Sequence, residues 1–473
     1  MKKTKIICTL GPAVNSEEEI VKLIDAGMNI ARLNFSHGTK EEQAERIKMV
    51  RAASLKTGQP VGILLDTKGP EIRTGKMENN SVFLREGDMV IVTVENVTGT
   101  SERFSVNYPE LPKSLCAGDW LLIDDGVLRL RVDEVRENEI FCRVINGGEL
   151  RNNKGVNVPG ICLNLPAITE KDREDILFGL MQGIDFIAAS FVRGPEAITM
   201  IRSLCDSCGK DVAVIAKIEN KEGIQNIDAI IDASDGIMIA RGDMGVEIPP
   251  EEVPYIQKMI IKKCNFKMKP VITATQMLDS MIRNPSPTRA EAADVANAIY
   301  DGTDAVMLSG ETAMGRYPVA SVTMMAKIAE ETENHLDEEL LKRHRDIKSR
   351  VTISSTIAHM SVNASEELHA SCIIAATMSG TTACYLSKFR PSCIIAGVTP
   401  DEHIMRRMQL YWGVYPMKNR NITTTDDLIH SVTEQVKKAS LLQKGDICVL
   451  TAGIAARDNS PYTTNMIRAF RME

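Results

Sequence analysis

Lys217 and Glu219 stand two residues apart at the end of the apolar run VAVIAKIEN, and Asp243 follows the neighbouring run GIMIARGDMG. Carboxylates at the ends of adjacent strands supply hard oxygen donors for one divalent cation, Mg2+ or Mn2+. Such a site keeps coordination positions open for substrate oxygens. Lys217 and Arg32, the latter in NIARLNFSH, add cations suited to a phosphoryl group or a developing oxyanion. The glycines of ARGDMG, residues 240–245, let the backbone approach a ligand closely, and the amides of a short helix starting there could receive an anionic group. For any one of these charges the competing reading is a salt bridge capping the end of a barrel. Convergence of several on one face argues for chemistry instead.

Convergence needs a scaffold, and eight short apolar runs provide one. They begin at Thr4, Asn29, Val61, Asp185, Val212, Gly236, Pro270 and Ala305, and each ends in polar or charged residues. They read as the buried strands of a parallel TIM (β/α)8 barrel whose reactive face lies at the strands' C-terminal ends. The segments between them carry helix signals: Ser16 with Glu19, Thr169 with Asp172 and Thr288 with Glu291 at capping-box spacing, and Gly27, Gly183 and Gly302 where helices should close. Residues two apart on a strand share a side. That groups Arg32 with Asn34 and Ser36, Asp66 with Lys68, Lys217 with Glu219, Thr273 with Thr275, and Ser309 with Glu311.

The repeat occupies residues 1–69 and 168–344. Between them, residues 70–167 lose the strand and helix alternation and show strand-like pieces separated by turn signals at Glu86-Gly87-Asp88, Asp124-Asp125-Gly126 and Asn146-Gly147-Gly148. This is an all-β insert, a small β-barrel placed to act as a lid on the reactive face. After a charged helical segment, EETENHLDEELLKRHRD, residues 345–473 read as a C-terminal α/β unit with its own core. In that unit the turn Thr377-Met378-Ser379-Gly380-Thr381-Thr382 leads into a helix. Its amides and hydroxyls could form a phosphate nest, or simply an ordinary capped helix start.

Composition excludes several classes. A chain of 473 residues suggests about three domains. A net charge of -7 without any basic run argues against nucleic-acid binding, and no run approaches the roughly 20 apolar residues of a membrane span. The first strand begins almost at once in MKKTKIICTLGP, so no secretory segment is expected. Eleven cysteines scattered through apolar segments suit reduced thiols in the cytoplasm. The one CxxC, Cys205 to Cys208, offers two of the four ligands a zinc site needs. Of seven histidines only His37 stands at a strand end, which argues against a Ser-His-Asp hydrolase or a His-ligated zinc enzyme.

The ordered set ICTLGP, MNIARLNFSHG, LLDTKGPEIRTG, NKGVNVPG, KIENKEG, GIMIARGDMGVEIP, ITATQMLDSMI, PTRAE, DVANAI and DGTDAVMLSGETA resembles the pyruvate kinases of bacterial type over nearly the whole chain. The resemblance implies transfer of the phosphoryl group of phosphoenolpyruvate to ADP, giving enolpyruvate that is then protonated to pyruvate. It implies that Lys217 stabilises the transferring group and the enolate, that Glu219 and Asp243 hold Mg2+, and that Arg32 binds the phosphate. Thr275 would hold the substrate carboxylate and lie on the proton relay, with backbone amides near Gly242 and Asp243 sharing the carboxylate. A K+ site is implied on Asn34, Ser36, Asp66 and the carbonyl of Thr67, and Glu71 is the residue type of K+-dependent members. Nucleotide contacts are implied for Asn34, His37, Arg73 and Lys154, with a second Mg2+ arriving on ADP.

The same resemblance implies a homotetramer and an effector phosphate site formed by Thr377, Ser379, Gly380, Thr381 and Thr382. The segments TTTDDLIHSVTEQ and GIAARDNSPYTT lack the tryptophan and arginine that fructose-bisphosphate-regulated eukaryotic members use. A sugar monophosphate or AMP is therefore expected as effector rather than fructose 1,6-bisphosphate. Two other readings use the same residues. A Mg2+-dependent aldolase or lyase acting on pyruvate enolate would not need the insert, the KGPEIR segment or a K+ site. A catalytically silent metabolite sensor would be favoured by loss of Lys217 or a metal ligand, and none is lost.

Overall fold

The computed structural model describes residues 1–336, 341, 351–419, 425–438, 442–453 and 463–472. Eight parallel strands close into a barrel in chain order: Lys5–Thr9, Ile30–Asn34, Gly62–Asp66, Phe186–Ala189, Ala213–Ile218, Gly236–Ala240, Val271–Ala274 and Ala305–Leu308. The last pairs back onto the first with Lys5 opposite Ala305. Strand alternation divides the apolar residues. Ile7, Leu64, Ala188, Ile215, Met238 and Ile272 fall in one buried cluster, the barrel interior, while Ile6, Ile63, Ile187 and Val214 join the helix residues Ile20, Leu23, Ile176 and Leu180 in another.

The helix signals are mostly realised. Thr169 with Asp172 and Thr288 with Glu291 form complete capping boxes, as do Thr39 and Glu42 at the head of the helix Lys40–Thr57, a pair the sequence reading passed over. The Ser16 box is only half made: Ser16 accepts the Glu19 N–H, but the Glu19 carboxylate accepts the N–H of Asn15. Gly183 caps its helix in the left-handed conformation, φ 74°, while Gly27 and Gly302 lie one residue beyond the caps Ala26 and Asp301.

The insert is a seven-stranded sheet with a separate two-stranded ribbon and a core around Phe104, Leu121, Leu130 and Ile140. Its edge strands Ile72–Arg73 and Arg103–Ser105 meet where Thr74 bridges Val106 and the Gly75 N–H donates to Ser105 O at 2.8 Å. Both passages between barrel and insert are anchored. Gly69, at φ 74°, donates its N–H to Asp172 Oδ1 at 3.0 Å and lies so close to Ser190 and Phe191 that a Cβ would collide with them. On the return, the Arg193 guanidinium donates to the carbonyls of Leu163, Leu165 and Pro166.

The C-terminal sheet runs in the order Val414–Lys418, Ile394–Thr399, Cys372–Ala376, Ile447–Ala452, Met466–Arg471, the last strand antiparallel. Val414–Lys418 is a strand that sequence reasoning missed. Pro416 breaks its pattern, and an edge strand tolerates it. The expectation of a separate core holds for one face only. Cys372, Ile374, Ala396 and Val432 cluster by themselves, whereas Ile373, Ala375 and Ile395 share the cluster of the barrel interior. The helix Pro318–Asn334 takes in the start of the charged linker segment. The rest of that segment, and the boundary expected at 344/345, lie almost wholly outside the described residues.

At the junction between barrel and C-terminal sheet, Asp304 is fully buried and accepts from Lys388, from Arg390 at 2.9 Å and from the Val271 N–H at 2.8 Å. Burial would push its carboxyl up, but Lys388 and Arg390 outweigh burial and hold it below the usual carboxylate range. Asp304→Ala leaves two buried cations without their anion. It should destabilise the chain by about 3–5 kcal/mol, read as a lowered midpoint in chemical denaturation.

Candidate active site

The alternation that fills the barrel with apolar side chains also sets what stands above them. Asp66 follows Leu64 on the inward side of the third strand, Ser190 follows Ala188, and Lys217 and Glu219 follow Ile215. Asp66 lies opposite both Asn34 and Ala188 across the sheet. A polar layer therefore caps the apolar interior at the C-terminal end of the barrel.

Within this layer the Lys217 ammonium donates to Asp66 Oδ1 at 3.0 Å and Ser190 Oγ at 2.7 Å, and pairs with Glu219 Oε1 at 2.9 Å. Arg32 Nε donates to Asp66 Oδ2 at 2.6 Å and its Nη1 to Thr9 Oγ1 at 2.8 Å. The Phe191 N–H donates to Glu219 Oε2 at 2.6 Å from a backbone at φ 53°, a conformation costing about 1–3 kcal/mol that fixes the carboxylate.

Burial alone would lower the Lys217 pKa, but Asp66 and then Glu219 hold it well above its ordinary value, so the side chain is an ammonium. Burial likewise pushes Asp66 up, yet Arg32 and Lys217 keep it below the usual range. Glu219 is under-compensated: burial, reinforced by Asp243, pushes it up to about 7 despite Lys217. Burial also raises Asp243, with Asp125 of the insert adding to the effect. Two cations, Arg32 and Lys217, thus face three carboxylates, Asp66, Glu219 and Asp243. That missing positive charge is what a divalent cation on Glu219 and Asp243 would supply, and these donors fit one. Among the described residues no group of three His, Cys, Asp or Glu side chains forms a fuller cage.

Thr275 and Gly242 are brought together, though not as open donors. The Gly242 N–H donates to Thr275 Oγ1 at 2.7 Å, and Thr275 Oγ1 to the carbonyl of Ala274 at 2.6 Å. An incoming carboxylate would have to take over that amide. Thr275 leaves the strand at φ 68°, so its direction is not set by alternation. Its carbonyl is held at 2.8 Å by Arg241, itself paired with Asp294. Thr273, expected on the same side, instead donates to Thr303 Oγ1 within a fully buried pair. Glu311 accepts the N–H groups of Leu278 and Ser309, a stitch between loops that burial pushes toward the neutral acid.

The oxygens expected to hold K+ are gathered but occupied within the protein. The Thr67 carbonyl accepts from Ser190, Asn34 Oδ1 accepts the Ser36 N–H at 3.0 Å, and Asp66 is taken by Arg32 and Lys217. Gln43, buried on its helix, holds the turn beneath them by donating to the carbonyls of Asn34 and His37. A cleft of about 350 Å3 between insert and barrel is lined by Glu71, Arg73, Asp124, Lys154, Phe191 and Asp243, among others. Arg73 pairs with Glu71 at 2.7 Å and Lys154 with Asp124 at 2.8 Å. Exposed His37 and its neighbour Asn34, whose carbonyl accepts the His37 N–H at 3.4 Å, are not in that wall.

In the C-terminal unit the helix Thr381–Lys388 starts at Gly380, φ 83°, without a side-chain cap; Gly380 N–H donates to Thr377 Oγ1, Ser379 shares a hydrogen bond with Thr381, and Thr382 with Thr464. The segments TTTDDLIHSVTEQ and GIAARDNSPYTT fall partly outside the described residues.

Sequence reasoning missed Ser190, Phe191, Gln43 and Arg193. For Ser190 a signal existed, since it is the first polar residue after the fourth apolar run, as Asp66 is after the third. Nothing local marks Gln43 or Arg193, whose partners are backbone carbonyls 6 to 30 positions away in sequence.

Residues 1–322 match the family model for the pyruvate kinase barrel domain and residues 355–470 that for the pyruvate kinase alpha/beta domain. Over 470 residues the chain is 51% identical to a pyruvate kinase of Geobacillus stearothermophilus, covering 99% of this chain and 80% of that one. It is 48% identical to one of Clostridium acetobutylicum, covering 99% of both. A crystal structure of a pyruvate kinase from Cryptosporidium parvum superposes with a TM-score of 0.94 at 39% identity, over 100% of this chain and 96% of that one.

Because Glu219 is pushed up to about 7, a proton competes with any cation bound there. Divalent-cation affinity, measured by calorimetry with Mg2+ or Mn2+, should be roughly tenfold weaker at pH 6 than at pH 8.

Proposed function

The chain belongs to the pyruvate kinase family and is a phosphotransferase that moves the phosphoryl group of phosphoenolpyruvate to ADP, and we propose that the polar layer over its barrel carries that transfer. The observation that supports this assignment most is the buried charge deficit, two cations against three carboxylates around Lys217.

Pyruvate kinases are generally Mg2+- and K+-dependent. Here Mg2+ belongs on Glu219 and Asp243, where it supplies positive charge to substrate oxygens as their charge redistributes. Arg32 and Lys217 hold the transferring phosphoryl group, and Lys217 remains against the enolate oxygen as the bond to phosphorus breaks. Thr275 orients the substrate carboxylate, sharing it with the Gly242 and Asp243 amides, and its hydroxyl carries the proton that converts enolpyruvate to pyruvate. Catalysis of this kind is mostly positioning, and the strained backbones of Phe191 and Thr275 are means to that end.

K+ takes the oxygens of Asn34, Ser36, Asp66 and Thr67, gathered where the second and third strands end side by side. ADP enters the cleft under the insert and meets Arg73 and Lys154, whose carboxylate partners Glu71 and Asp124 yield to its phosphates, with Asn34 and His37 completing the contact. The insert closes over the site and excludes water, which would otherwise take the phosphoryl group. Asn157 already reaches Glu247 of the barrel at 3.0 Å.

The division that goes with this reading is barrel over 1–69 and 168–344, lid over 70–167 and effector unit from 345. The uncapped helix start at Gly380 receives a phosphate-bearing effector, a sugar monophosphate or AMP, and the assembly is a homotetramer. All eleven cysteines are unpaired, which suits a cytoplasmic enzyme, and among the described residues no helix is long and apolar enough to cross a membrane.

Pyruvate release from phosphoenolpyruvate with Mg2+ should require both ADP and K+. Release without ADP, the phosphoryl group passing to water instead, would count against the kinase reading, and no release at all, even with sugar phosphates or AMP, would favour a sensor. Lys217→Met should lower kcat by at least about a thousandfold while leaving the fold intact by circular dichroism. Glu71→Lys replaces the partner of Arg73 with a tethered cation and should reduce the ratio of rates with and without K+.

A further inference from the structure

The Lys217 ammonium is held by three contacts, hydrogen bonds to Asp66 Oδ1 at 3.0 Å and Ser190 Oγ at 2.7 Å and an ion pair with Glu219 Oε1 at 2.9 Å. A phosphoryl oxygen that binds this nitrogen competes with those partners. The two carboxylates attract the ammonium with a full negative charge in a low-dielectric site and the hydroxyl does not, so the hydroxyl is the partner that yields. Its exchange for a phosphoryl oxygen replaces a neutral acceptor with an anionic one, and the ammonium does not have to move away from either carboxylate.

Ser190 is built into its place. It is 5% exposed, follows the fourth strand on the inward side, and its N–H donates to Thr67 Oγ1 at 3.1 Å, joining the ends of the third and fourth strands. Its single proton has two acceptors within reach, the Thr67 carbonyl at 2.7 Å and Asp66 Oδ1 at 3.1 Å. Directed to Thr67, that proton leaves the Oγ lone pairs facing Lys217. A side chain at position 69 would collide with the Ser190 Cβ at 2.9 Å, so the glycine there leaves Ser190 its place.

We propose that Ser190 is a positioning residue for phosphoryl transfer: its hydroxyl holds one N–H of Lys217 at the height of the barrel rim until the phosphoryl group of the substrate replaces it as acceptor. This rests on Lys217 being the catalytic lysine. Without the hydroxyl the ammonium keeps only Asp66 and Glu219, from the third and fifth strands, and loses its hold on the fourth strand between them.

The test compares Ser190→Ala, Ser190→Cys and Lys217→Met in the full-length chain, measuring kcat and the KM for each substrate. Ser190→Ala should lower kcat tenfold to a hundredfold, roughly the loss expected for a misplaced catalytic group, with the KM for ADP unchanged. Ser190→Cys, similar in size with a weaker acceptor, should fall between Ser190→Ala and the unmodified protein, and it carries the test if the alanine variant does not fold. Wild-type kcat in Ser190→Ala would overturn the proposal. So would an equal loss in both variants accompanied by a raised KM for ADP, the mark of disturbed packing. If Lys217→Met keeps its turnover, the premise fails and the proposal with it, a result distinguishable because it does not depend on Ser190.

Discussion

The buried ammonium of Lys217 is the interaction on which the arrangement of the polar layer depends. A lysine nearly excluded from water keeps its charge only where anions surround it, and here Asp66 and Glu219 do so from two different strands. Those carboxylates are buried in turn, and each needs its own support, from Arg32 for Asp66 and from the Phe191 N–H for Glu219. The barrel answers this chain of requirements because neighbouring parallel strands present inward residues at the same height, so charges from the second, third and fifth strands meet without long side-chain excursions. The negative charge left over is a property of the whole layer rather than of any residue in it.

Much of this was legible in the sequence. The eight apolar runs fall on the eight barrel strands, and residues that obey strand alternation, Arg32, Asp66, Lys217 and Glu219, stand together where period-two counting puts them. What counting could not give lies where the backbone departs from the strand. Thr275 turns at φ 68°, so its grouping with Thr273 fails, and Phe191 at φ 53° serves through its N–H, to which residue identity gives no clue. The strand Val414–Lys418 was hidden by Pro416, and the half-made box at Ser16 shows that spacing alone does not say which backbone N–H a carboxylate will choose. His37 matched a motif but lies outside the cleft that holds Arg73 and Lys154.

The insert has a core of its own and a sheet that nearly closes on itself, and both its passages to the barrel are tied down, Asp172 holding Gly69 and Arg193 holding residues 163–166. Gly69 presses on Phe191, whose N–H fixes Glu219. The first passage into the insert and the carboxylate suited to a cation are therefore separated by a single residue's backbone.

The barrel interior shares its packing with one face of the C-terminal sheet, so the barrel has no floor of its own. Protein interiors are dense and yield little under compression. Ile373 and Ile395 belong to the same cluster as Leu64, which is two residues, about 7 Å, from Asp66 along a single strand. The polar layer thus caps an apolar cluster that continues without a break into another part of the chain.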